Sequence, residues 1–195
     1  SLRAQVRDLE YYTPPALDRG VTVSRGWDAL QEDPSIPAIP VTSGDGKLFG
    51  MLSAADIARY DMEAVNNPRV ENIPVFNLLS VLEGRIMNDS GYLCDSISGE
   101  VVIALPQGAE NLLFSDRQSI VICGDQPDMV ERAVRLGVNC LIVCQASLPQ
   151  ELCSIKTDTC IISTPFDAFK AARMIYHAIP IERICRNDEL DPFYL

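Results

Sequence analysis

Short apolar runs alternate with amphipathic stretches along this chain, and the elements they predict fall into two groups. In the first, Thr13-Pro14-Pro15-Ala16-Leu17 is an extended lead-in, and a helix opens at Ser24 with Trp27 and Leu30 on one face. Ile39-Pro40-Val41 and Leu48 to Leu52 read as strands, and Ser43-Gly44-Asp45-Gly46 between them has the Gly and Asp chemistry of a hairpin turn. A helix from about Ala54 to Met62 closes the group.

Asn66-Asn67-Pro68 marks a boundary. Val70 to Val75 then leads into an apolar helical face made by Phe76, Leu78, Leu79 and Leu82. Strands are predicted over Glu100 to Leu105, Ser119 to Cys123, Cys140 to Cys144 and Thr159 to Ser163. Helices are predicted over Pro127 to Leu136, Leu148 to Cys153 and Pro165 to Tyr176. Buried-type strands about 20 residues apart, with helices between them, argue for parallel β-α units. The expected fold class is α/β, an α+β unit followed by a parallel-sheet α/β domain.

Residues Phe49 to Ile57 carry the most specific chemistry. An apolar strand reaches Ser53, and Asp56 stands on the first turn of the helix that follows. A serine at the helix start and the free N–H groups beside it favour an anion. An ionised aspartate one turn in is an acceptor for the two hydroxyls of a ribose. Ser53 and Asp56 therefore read as a ribose-phosphate clamp. The alternative is a helix cap with an aspartate complementing the helix dipole. In the second group, Asp125, Ser163, Pro127 and Pro165 are read as helix starts rather than ligand contacts. Neither Gly-x-Gly-x-x-Gly nor Gly-x-x-x-x-Gly-Lys occurs, so dinucleotide and P-loop chemistry have no support.

A formal net charge of −11 over 195 residues argues against a nonspecific nucleic-acid binder. The seven cysteines lack a Cys-x-x-Cys pair, and most lie in apolar segments. They read as small buried hydrophobes suited to a reducing, cytoplasmic compartment. No apolar run approaches the roughly 18 residues of a membrane span, and no export signal is visible at the start. His177, the one histidine, is expected in a solvated last helical turn, and one histidine does not make a two-metal centre. The chain is expected to be non-catalytic by itself.

The sequence from Leu9 to Met62 resembles a CBS domain, through Ile39-Pro40-Val41, Asp45-Gly46-Lys47-Leu48-Phe49-Gly50 and Ser53-Ala54-Ala55-Asp56 in that order. The resemblance implies adenine-nucleotide binding, with phosphate and ribose held by Ser53 and Asp56 and the adenine near Thr13, Ile36 and Ala38. The later part resembles a DRTGG domain through Ile122 to Asp128, Cys140 to Cys144 and Thr164 to Ala172, although the signature letters themselves are absent. The order of the two is similar to the regulatory insert of clostridial-type, manganese-dependent family II inorganic pyrophosphatases, and Asn72 to Gly84 and Glu110 to Phe114 fit it as well.

That resemblance divides the chain into a first CBS domain over 1–65, a DRTGG-like domain over 66–178 and the start of a second CBS domain over 179–195. It implies AMP-like inhibitors and diadenosine polyphosphate activators as ligands. It also implies catalytic domains of the same polypeptide as partners, and manganese only in those domains. The apolar helical faces and the half-open CBS interface lead us to expect a homodimer with no membrane or nucleic-acid partner. Two other readings stay open: a dimerisation module with a vestigial nucleotide cleft, and an accessory region of a phosphotransacetylase.

Overall fold

Two β-sheets share one hydrophobic core in the computed structural model, which describes residues 15–88, 96–104, 118–124, 126–145 and 156–187. The first sheet has the order β1-β2-β3: β1 (Leu17–Asp18) runs parallel to β2 (Ile39–Thr42), which is antiparallel to β3 (Leu48–Leu52). The β2–β3 hairpin closes through Gly46, whose φ of 78° is the left-handed geometry that glycine adopts without steric cost. Ile39, Val41 and Leu52 turn their side chains into the core, as the period of two requires.

Two helices flank this sheet. Helix α1 (Val23–Glu32) starts one residue earlier than expected, because the Thr22 hydroxyl rather than Ser24 accepts from the Arg25 N–H. Helix α2 (Ala54–Asn66) runs a turn beyond the expected Met62 and ends at Asn67, just ahead of Pro68.

The second sheet has six strands in the order β4-β6-β7-β8-β9-β5. Its centre is parallel: β6 (Ser96–Ile103), β7 (Ser119–Cys123), β8 (Cys140–Cys144) and β9 (Cys160–Thr164). Every residue of β7 and β8 is buried, as strands covered on both faces require. Both edges are antiparallel and were not foreseen: β4 (Arg69–Pro74) pairs with β6, and β5 (Arg85–Ile86) pairs with β9.

Three helices pack with this sheet. Helix α3 (Val75–Leu82) buries Leu78, Val81 and Leu82, so most of its apolar face belongs to the chain's own core and only Phe76 stays largely exposed. Helix α4 (Pro127–Leu136) stops at Gly137, whose φ of 69° makes a left-handed C-cap. Helix α5 (Ala168–Tyr176) is capped by Asp167, so Pro165 precedes the helix instead of starting it. The helix expected over Leu148 to Cys153 and the match at Glu110 to Phe114 lie outside the described residues.

After α5 the chain returns to the first sheet. Val23 N–H donates to the Ile179 carbonyl at 2.9 Å and Ile181 N–H to the Val21 carbonyl at 2.8 Å, and a 3-10 turn follows over Ile181–Arg183. Met51 and Arg186 then exchange two backbone hydrogen bonds of 3.0 and 2.9 Å. His177 is buried at this seam rather than solvated: its Nε2 lies 2.6 Å from Asp61 Oδ1 of α2. Beside it, the Tyr60 hydroxyl donates to the Tyr176 carbonyl at 2.7 Å.

Candidate functional site: the Asp56 carboxylate and its cleft

Strand β3 buries Leu52 and releases the chain at Ser53, whose extended backbone sets up the start of α2. Ser53 and Asp56 then form a reciprocal capping box. Asp56 N–H donates to Ser53 Oγ at 3.3 Å, while Asp56 Oδ2 accepts from Ser53 N–H at 2.9 Å and from Ser53 Oγ at 2.7 Å.

The other carboxylate oxygen is held by two arginines. Arg59 Nη2, one turn further along α2, donates to Asp56 Oδ1 at 3.2 Å. Arg186 Nε, from the returning segment, donates to the same oxygen at 3.1 Å. Gly50 permits this approach, because a Cβ there would meet the Arg186 carbonyl oxygen at 2.5 Å. Asp56 is 2% exposed. Burial pushes its pKa up, but the hydrogen bonds from Ser53, then Arg186 and Arg59, outweigh burial and hold the carboxyl below its usual range.

Beside this carboxylate lies a cleft of about 390 Å³ whose polar lining is Asp56, Arg59, Tyr60, Glu63, Arg69, Glu71 and Arg183. Arg183 donates to the backbone carbonyls of Glu71 and Asn72, the latter at 2.7 Å. This clamps the irregular stretch of β4 where Asn72 has a φ of 50°. Arg69 pairs with Glu71 and donates to Gln118 Oε1 at 2.9 Å. The cleft thus joins three carboxylates to guanidinium groups from three chain segments, acceptors suited to hydroxyls beside donors suited to phosphate oxygens.

Of the residues singled out in the sequence, the structure brings Ser53 and Asp56 together. Ile36 is buried in the core with its N–H on the Asp33 carbonyl. Ala38 is half-buried just before β2. Thr13 lies outside the described residues. The sequence reading missed Arg59, Arg183 and Arg186. Arg59 was within reach of a helix-spacing argument, three residues after Asp56. Arg183 and Arg186 become neighbours of the site only through the return of the chain. Among the described residues, no three His, Cys, Asp or Glu side chains are grouped to hold a metal ion.

An α+β unit feeds a mixed six-stranded sheet, and the Asp56 cleft lies where α2, β4 and the returning segment meet. The chain belongs to the DRTGG domain family, whose sequence pattern matches residues 77–178, more than half of its length. It is 27% identical over 197 residues to a cobalt-dependent inorganic pyrophosphatase of Clostridium perfringens. That match takes in 97% of this chain but 35% of the relative, so the chain spans about a third of the relative's length.

The fold is similar to the crystal structure of the CBS and DRTGG domains of the regulatory region of Clostridium perfringens pyrophosphatase, complexed with its activator, diadenosine tetraphosphate. The TM-score is 0.72 at 25% identity, over 96% of this chain and 83% of that one. The metal named for the relative is cobalt, where the sequence resemblance implied manganese. Among the described residues, no helix is long and apolar enough to cross a membrane.

Proposed function

We propose that this chain is the adenine-nucleotide-sensing regulatory region of an inorganic pyrophosphatase. AMP-like ligands would inhibit and diadenosine polyphosphates would activate, through catalytic domains carried by the same polypeptide. The observation that carries this reading is the similarity along nearly the whole chain to a regulatory region solved with diadenosine tetraphosphate. The divalent metal, manganese or cobalt, would reside in those catalytic domains.

The cleft beside Asp56 supplies chemistry suited to such ligands. Ribose hydroxyls would donate to Asp56 Oδ1 in place of Arg186 or Arg59, and the freed guanidinium groups would take phosphate oxygens. Binding would thereby break the link between α2 and the returning segment, which is a direct route from ligand to chain rearrangement. A second reading has its own support. Both oxygens of Asp56 already have protein partners, which fits a capping residue beside a vestigial cleft.

Calorimetric titration with AMP and with diadenosine tetraphosphate separates the two. Under the nucleotide reading, Asp56→Ala weakens binding about tenfold or more, the loss of one charge-assisted hydrogen bond of about 1.5–3 kcal/mol. Unchanged affinity in that variant would leave only the capping role. Self-association as a homodimer belongs to the same proposal and is supported by the exposed Phe76. Light scattering that finds a monomer at micromolar concentration would remove that part.

A further inference from the structure

A second cleft, about 770 Å³ in volume, opens between α1 on one side and the ends of α3 and α5 on the other. Three cations reach it: Arg25 from α1, and Lys170 and Arg173 from α5. In a chain with 16 Lys and Arg against 27 Asp and Glu, a cation would ordinarily find a carboxylate. Among the described residues, Lys170 and Arg173 make no ion pair. Lys170 Nζ sits 3.8 Å from the centroid of the Phe166 ring instead. Arg25 has a single long contact of 3.4 Å with Glu32, both side chains more than half exposed.

The position of Arg25 adds to its cost. Arg25 and Lys170 are each the third residue of their helix, with N–H groups accepted by the caps Thr22 and Asp167. The positive end of a helix dipole favours acidic side chains there; α1 has none in its cap or first turn, whereas α5 has its cap Asp167. Three cations, with one long ion pair among them, therefore line one concavity, and a bound anion would relieve their mutual repulsion. Asp28 and Glu83 also line the cleft and keep it from being uniformly positive. As acceptor-only groups they suit hydroxyls carried by the same ligand. Trp27 and Phe166 supply apolar ring surface in the wall.

We propose that this cleft is a binding site for a small phosphate-bearing molecule, with Lys170 and Arg173 as its principal phosphate contacts and Arg25 completing the set. The volume falls within the range of roughly 300–1,000 Å³ usual for small-ligand sites. The site is separate from the Asp56 cleft and does not depend on the nucleotide reading. Trp27 is the only tryptophan in the chain, so its fluorescence reports on this cleft directly.

Titration of the chain with inorganic pyrophosphate at low ionic strength should change Trp27 emission saturably. The double variant Lys170→Gln/Arg173→Gln should raise the half-saturation concentration at least tenfold. Both residues are exposed and glutamine has similar helix propensity, so the variant should melt like the parent. Arg59→Gln, which removes a guanidinium group from the Asp56 cleft, should keep the parent's half-saturation, and this distinguishes the two sites. No saturable change in the parent, or an unchanged midpoint in the double variant, would overturn the proposal. A raised half-saturation in Arg59→Gln would do so too, by locating the anion at the first cleft.

Discussion

Replacing Asp56 by alanine removes a carboxylate that is 2% exposed and holds four hydrogen bonds from three residues. Losing one half of a capping box costs about 0.5–2 kcal/mol, since the backbone N–H of Ser53 is left without its acceptor. The side chains of Arg59 and Arg186 are 52% and 60% exposed, so solvent screens each ion pair to about 0–1 kcal/mol. Together these give a destabilisation of about 0.5–4 kcal/mol, and each kcal/mol lowers the melting temperature of a chain of this size by roughly 2–4 °C.

Asp56→Asn should fall between the parent and the alanine variant. Its amide oxygen can still accept from Ser53, but its NH2 then faces two guanidinium donors. A pH series sharpens the test. Asp56 has a folded-state pKa held below its ordinary value, so its stabilising contribution is complete above the ordinary carboxylate range. That contribution is lost as pH falls through the depressed folded value. The gap in melting temperature between parent and Asp56→Asn should therefore be full near neutrality and should close in acid. Thermal unfolding followed by circular dichroism from neutral to acidic pH measures this. Equal melting temperatures for parent and Asp56→Ala at neutral pH would refute the reasoning.

Two further perturbations test how the chain returns to its first sheet. Gly50→Ala would set a Cβ 2.5 Å from the Arg186 carbonyl oxygen and 3.2 Å from Cys185 Sγ. Relief of that clash should cost about 1–3 kcal/mol in denaturant unfolding; an unchanged unfolding midpoint would mean that the returning segment is not held there. Asp61→Ala should remove the carboxylate contact of the buried His177 and lower stability by about 1–3 kcal/mol. The same loss in His177→Gln, with little more in the double variant, would mark the two as one unit, whereas additive losses would show that they act separately.

Elements with strong local signals were legible in the sequence. Cys140 to Cys144 is a continuous apolar run and forms a fully buried strand with the expected bounds. Helix α4 also matches its expected range, because Pro127 suits its first turn and Gly137 suits the left-handed cap. Where two neighbouring residues could serve, the choice needed tertiary contacts. Thr22 caps α1 in place of Ser24, whose N–H is instead taken by the His177 carbonyl at 3.0 Å. The edge strand β4 is of mixed polarity and β5 is only two residues long, and their partners β6 and β9 make them strands.

The candidate site divides in the same way. The capping box is local chemistry, since Ser53 and Asp56 are three residues apart on a strand-to-helix turn, and residue types alone point to it. Sequence also determined that this position carries an ionisable acceptor beside helix N–H groups. Which groups satisfy that acceptor was decided by the fold. Arg186 is 130 residues away along the chain and arrives only because the segment after α5 adds itself to β3 beside Gly50. His177 looked like a solvated last-turn residue until α2 was packed over it. Local patterns set backbone geometry, because they act within a turn or two. Burial and charge pairing depend on which distant surfaces meet, and in this protein that was set by the return of one nine-residue stretch, 179–187, to the first sheet.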